Sequence, residues 1–307
     1  MKNIYLNSNV YKLINGDLQA GMLNHSYLLI SNDKQKINSF AEFVCCTILA
    51  GGFENNTSLK ILHNNHPDVK FYPQGNKGIV TEEINSITDD AYVLPMEGDK
   101  KIYVLKNFES ATIQAQNKLL KTLEEPPHSV VFVITTTNEN GVLPTIRSRC
   151  KKVVEGKVEN GLLESYILNN HKIEKSDVEK IVGLSEGNIT TANDYITNKN
   201  FLDMVSLSEE IFVDLKSSAN VLELSAKMQK FKSNIEDFLN IMLNTIKKLL
   251  VNKVTNKGAV VYSNNVLVKI SEVVLNAIKK VKSNCNINSV CDGVLMGILE
   301  VKFKCQK

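Results

Sequence analysis

Short unbroken apolar runs, separated by segments of helical spacing, mark the first half of this chain. Runs at residues 27–30, 69–72, 102–105, 130–135 and 152–154 do not alternate with polar positions. Strands read that way when both faces of a parallel sheet are covered. Between them, Thr81 followed by Glu82, Glu83, Ile84 and Ile87 predicts a capped helix start. Thr112 predicts another, for a helix with Leu119, Leu120 and Leu123 on one face. Pro126-Pro127 stops that helix, because proline cannot extend it and restricts the residue before it. After about residue 155 the strand signals fade. Ser176-Asp177-Val178-Glu179 fits a capping box, and Gly187 fits the end of the helix it opens. Longer amphipathic patterns follow. Ile235, Phe238, Leu239, Met242, Ile246, Leu249 and Leu250 form the first, and Leu267, Ile270, Val274, Ile278 and Val281 the second. Ile287, Cys291, Val294, Leu295 and Ile298 form the third. A helical core explains these faces, and they could also present a surface to partner subunits.

Composition narrows this picture without sharpening it. A length of 307 residues predicts two or three domains, and 43% apolar with 22% charged residues is ordinary for a soluble globular protein. A net charge of +3 and a pI near 8.4 are too weakly basic to make nucleic acid the main ligand. The start, Met1 to Asn7, has no long apolar stretch, so no secretory signal is expected, and no apolar run of 18 residues predicts a membrane span. The six cysteines are then expected as reduced thiols in the cytoplasm. The sequon-like Asn55-Asn56-Thr57 and Asn188-Ile189-Thr190 carry no message in such a chain.

The chemistry concentrates between Lys100 and Cys150. Lys101 to Leu105 leads into Ala115-Gln116-Asn117-Lys118-Leu119-Leu120-Lys121-Thr122-Leu123-Glu124-Glu125-Pro126-Pro127. Thr135-Thr136-Thr137-Asn138 and then Leu143-Pro144-Thr145-Ile146-Arg147-Ser148-Arg149-Cys150 follow. Upstream stand His25-Ser26-Tyr27 and His66-Pro67-Asp68. This succession resembles the AAA+ clamp-loader subunits of bacterial DNA polymerase III, and within them the delta-prime type. The resemblance implies an α/β AAA+ core over residues 1–155, in which a parallel sheet is flanked by helices. It also implies a small helical lid over 156–198 and an all-α collar over 199–307. The strong match covers about half the chain.

An active relative needs a glycine-rich loop after the first strand, where backbone N–H groups approach the phosphates and a Lys and a Ser or Thr contact phosphate and Mg²⁺. Here the strand runs into Ser31-Asn32-Asp33-Lys34-Gln35-Lys36, with no glycine and no Lys-Ser or Lys-Thr pair. Lys34 and Lys36 could meet an anion, but a solvated turn explains them. The acidic pair that would hold Mg²⁺ after the strand 102–105 is replaced by Lys106 and Asn107, and Glu109 is out of register. Thr136, Thr137 and Asn138 match the sensor-1 region, with a structural use expected. The four-cysteine zinc module of many delta-prime relatives is missing. Only Cys45 and Cys46 stand before His63 and His66, and Cys285, Cys291 and Cys305 read as core or surface thiols. Gly187-Asn188-Ile189-Thr190 lacks the arginine that active relatives place in the lid. No nucleotide and no zinc are therefore expected.

The Ser148-Arg149-Cys150 triplet is intact. In the resembled family its arginine is offered across a subunit interface to the γ-phosphate of a neighbour's ATP. A guanidinium suits that task, being always charged, planar and able to donate two parallel hydrogen bonds. Arg149 is the expected finger, with Ser148 and Cys150 flanking it, while Arg147 points elsewhere on a one-turn helix and is expected to be structural. The implied function is a non-catalytic subunit that completes the loader ring. Its implied partners are the gamma/tau ATPase subunits and the delta subunit, with the sliding clamp and primer-template DNA engaged indirectly. Two other readings compete. One is a working ATPase of the same fold. The other is a free-standing helical adaptor or DNA-binding protein using Lys247-Lys248, Lys279-Lys280 and the cluster from Lys302 to Lys307, for which a solvated face is explanation enough.

Overall fold

The computed structural model describes residues 1–75, 78–254 and 262–304, so Cys305 and the end of the lysine cluster at Lys307 lie outside the described residues. Five strands form one parallel sheet: β1 (Ser26–Ile30), β2 (Val69–Tyr72), β3 (Lys101–Leu105), β4 (Val130–Thr136) and β5 (Lys151–Val154). Their order is β2-β3-β4-β1-β5. Leu28 lies beside Ile134 of β4 and Lys152 of β5, and Leu105 lies beside Ile134 from the other side. Because successive side chains point to opposite faces, β1 sends Leu28 one way and Tyr27 and Leu29 the other, all three buried. On the first face, Leu28, Tyr103, Leu105, Phe132 and Ile134 join Ile84 and Ile87 of the helix Thr81–Ala91. Ala115, Leu119 and Leu123 of the helix Ile113–Glu124 complete that core. The other face is covered by helices that include Lys34–Cys45. This is the α/β architecture expected from the sequence, and the helical remainder follows it in the chain.

The chain divides into two compact units, Met1–Lys172 with Gly187–Thr191, and Ile173–Glu186 with Ala192–Lys307. In the second, the helices Phe201–Asp214, Ser218–Gln229, Ile235–Val254, Asn264–Lys282 and Ile287–Lys304 pack through the predicted apolar faces. Met242, Ile270 and Leu295 are fully buried. No helix among the described residues is long and apolar enough to cross a membrane.

Three local expectations are corrected. Thr81 is the first helical residue rather than the cap, and the amide of Val80 before it donates to Glu83. Ser176 lies inside the helix Lys175–Ser185, whose cap position is Glu174. Lys302 is buried and not solvated. Its ammonium donates to the carbonyls of Phe212 and Leu215 at 3.0 Å, where the helix Phe201–Asp214 has run out of internal partners. Burial lowers the Lys302 pKa to about 8. By contrast Gly187 does end a helix. Glu186 and Gly187 both adopt positive φ, and a Cβ at Gly187 would collide with the Val158 carbonyl.

Candidate functional site

At the carboxyl end of β1, Ser31 to Lys36 form a turn into the helix Lys34–Cys45, with Asp33 as its N-cap. Asp33 is 1% exposed, and its carboxylate collects donors from two helix starts. Oδ1 accepts from the Lys36 amide at 3.1 Å and from the Thr190 hydroxyl at 2.7 Å. Oδ2 accepts from the Ile189 amide, at the start of the helix Ile189–Thr197. The Gln35 amide in turn donates to Thr190 Oγ1 at 3.1 Å. A helix N-terminus attracts negative charge through its unpaired N–H groups and its dipole. Here a side-chain carboxylate of the chain itself supplies that charge. Lys36 departs from the solvated turn expected of it. It is fully buried and its ammonium donates to the Gly156 carbonyl, while Lys34 and Asn32 are exposed. Desolvation lowers the Lys36 pKa, partly offset by Glu155 and Asp33.

Beyond β3 the residues that stand where a carboxylate pair was sought are also paired internally. Lys106 Nζ lies 2.7 Å from Glu42 Oε1 and 4.9 Å from the Phe71 ring centroid. Asn107, at φ 52°, enters a closed cycle. Its amide donates to Thr135 Oγ1 at 3.0 Å, Thr135 Oγ1 donates to Asn38 Oδ1 at 2.7 Å, and Asn38 Nδ2 donates to Asn107 Oδ1 at 3.1 Å. Glu109 Oε1 accepts from the Thr137 hydroxyl at 2.6 Å and its amide at 3.2 Å, and Thr136 Oγ1 donates to the Asn138 carbonyl at 3.0 Å. The sensor-like residues thus bond to their own neighbourhood.

Cys45 and Cys46 are buried, and desolvation raises both thiols, Cys46 to about 12. His66 is buried, and its Nδ1 accepts from the Asp68 amide at 3.2 Å. Asp68 itself gathers the amides of Met96, Glu97 and Gly98 at 2.6, 2.7 and 2.9 Å. Desolvation pushes its pKa up, and these three donors outweigh it, leaving the pKa below the ordinary value. Among the described residues no group of three or more His, Cys, Asp or Glu is placed to hold a metal ion.

At the opposite end of the sheet the one-turn helix Pro144–Arg147 brings Arg149 beside the start of β1, where Ser26 Oγ donates to the Arg149 carbonyl at 2.8 Å. The Arg149 side chain is 35% exposed. Nη2 lies 2.6 Å from Glu124 Oε1, and Nη1 donates to the Thr145 carbonyl at 2.8 Å. Ser148 is exposed and donates to the same carbonyl at 3.0 Å. Cys150 packs into the core, with burial raising its thiol to about 11, so it is not poised as a nucleophile. Arg147 turns to Glu139 at 3.5 Å. The Ser148-Arg149-Cys150 triplet points to Arg149 but not to Ser26 or Glu124 as its supports. The Glu124-Glu125-Pro126-Pro127 motif was the available signal for the second.

Comparison with known proteins agrees with these motifs. The family model described as DNA polymerase III, delta subunit, matches residues 6–156. The chain is 29% identical over 154 residues to a DNA polymerase III subunit delta' of Bacillus subtilis, covering 48% of this chain and 46% of that protein. It is also 29% identical over 170 residues to a subunit gamma/tau of Mycoplasma genitalium, covering 52% of this chain and 28% of the relative. These matches span less than half the length of either relative. Among solved structures, a gamma subunit-related protein of Thermotoga maritima aligns with 91% of this chain and 95% of its own, at 20% identity and a TM-score of 0.47.

Proposed function

We propose, on the premise that this chain is a member of the DNA polymerase III clamp-loader family, that it is a non-hydrolysing subunit of the loader ring. In this reading it lends Arg149 to the ATP site of a neighbouring gamma/tau-type ATPase. It works in the cytoplasm with those subunits and a delta subunit, and reaches the sliding clamp and primer-template DNA through them. Residues 1–155 act as the degenerate AAA+ module, 156–198 as the lid and 199–307 as the collar that holds the ring.

The observation that carries this reading is the Asp33 carboxylate at two helix starts, with Lys36 drawn to the Gly156 carbonyl. A nucleotide phosphate entering there would meet a negative charge in place of free N–H donors. Further support comes from the Lys106–Glu42 pair, which puts an ammonium where a divalent cation would need carboxylates. Isothermal calorimetry of the purified chain with Mg-ATP, to about 1 mM, is expected to show no binding heat, a range in which ~4 kcal/mol of affinity registers. The same chain mixed with its host's clamp-loader ATPase is expected to elute as a complex. Micromolar ATP binding favours the motor reading, and failure to co-elute favours the free-standing adaptor.

A further inference from the structure

Arg149 is held by more than its own turn. Glu124 closes the helix Ile113–Glu124, whose Leu119 and Leu123 sit in the core, so its backbone is fixed by packing rather than by the surface. From there Oε1 meets Arg149 Nη2 at 2.6 Å, while the Thr145 carbonyl takes Nη1 at 2.8 Å and Ser148 Oγ lies 3.4 Å from the same nitrogen. A guanidinium has five N–H donors. These three contacts engage at most three of them, which leaves at least two for an incoming anion. The pair is partly exposed, 35% for arginine and 49% for glutamate, so the contact can meet a partner surface without first unfolding anything.

We propose that Glu124 is a positioning residue for Arg149, fixing the guanidinium before the neighbour's γ-phosphate arrives. This inference rests on the finger reading above. A long side chain that docks from solvent gives up rotamer freedom at that moment, and one already held at two nitrogens gives up less. What the role requires of position 124 is an acceptor oxygen. The negative charge is no help, because it sits near the phosphate that Arg149 must attract. Glutamine should therefore serve as well as glutamate, and alanine should not.

The test uses the loader reassembled from this full-length chain and its host's partner subunits. Glu124→Ala is expected to lower kcat for ATP about five- to tenfold, the rate equivalent of the lost rotamer restriction, with KM unchanged within about twofold. Glu124→Gln is expected to stay within about twofold of wild type. In an Arg149→Ala background, Glu124→Ala is expected to add nothing. Assembly and the melting midpoint of each variant are measured alongside, and Glu124→Gln keeps the test open if the alanine variant folds poorly. If Arg149→Ala slows turnover while Glu124→Ala does not, or raises it, the positioning role is overturned and the finger stands. The role is also overturned if Glu124→Ala slows turnover equally with Arg149 absent, since its effect then bypasses the guanidinium. If Arg149→Ala itself leaves turnover unchanged, the underlying finger reading has failed instead.

Discussion

The two ends of the parallel sheet handle charge in opposite ways. At the carboxyl ends of β1 and β3, Asp33, Lys36, Lys106, Asn107 and Glu109 are all turned on partners within the chain. At the amino end of β1, Arg149 keeps a partly exposed guanidinium with donors to spare. The four steps of strand from Ser26 to Ile30 separate these ends by about 13 Å. The Arg149 contacts with Glu124, Thr145 and Ser26 use none of the residues around Asp33. An anion site can therefore close on itself without disturbing a cation presented from the far end. That independence is what the proposed role, serving a neighbour's nucleotide while taking none, requires of the fold.

The comparison can be broken most forcefully at Asp33. Asp33→Ala removes an N-cap and strands the amides of Lys36 and Ile189 and the hydroxyl of Thr190. With unpaired buried donors costing about 1–3 kcal/mol each and the surroundings relaxing in part, a loss of about 3 kcal/mol is expected in denaturant melts. Asp33→Asn keeps an acceptor and should lose less, about 1–2 kcal/mol. An alanine variant as stable as wild type would mean that the carboxylate does not hold this end shut.

A smaller effect is expected from the corresponding carboxylate near the amino end of β2. Asp68 holds the loop that carries Leu94 and Met96, which are 77% and 81% exposed. Its folded pKa lies below the unfolded value, so its contribution is fully present above about pH 4 and is lost as pH falls through the folded value. Asp68→Asn should cost about 1–2 kcal/mol at neutral pH and flatten the loss of stability below pH 4. Equal acid profiles for the two proteins would show that the three amide bonds contribute nothing.

Most of the scaffold was legible because it is written locally. Each strand was expected within one residue of its observed limits, and Thr112 caps its helix as its position before Ile113 suggested. The charged residues were harder to read. Lys36 and Lys302 looked solvated because lysines usually are, and nothing nearby in sequence reveals that Gly156 or Phe212 and Leu215 will accept from them. Asp33 was readable as a cap for the Lys36 amide, but its second partner, Ile189, lies 156 residues away, beyond any helical or strand period. Arg149 was found through its triplet, whereas Glu124 gains its meaning only when the end of one helix is folded against the turn before β5.

The most direct test of the central claim is ATP turnover by the reassembled loader carrying Arg149→Ala, compared with Arg147→Ala. Fingers supplied in trans are worth roughly 10³–10⁵ in rate in GTPases. The site served by this subunit should therefore slow by at least about a hundredfold with Arg149→Ala, with assembly intact. Arg147 pairs with Glu139 of its own chain, and its alanine variant should turn over near the wild-type rate. Equal losses in the two variants, or full turnover without Arg149, would contradict the account.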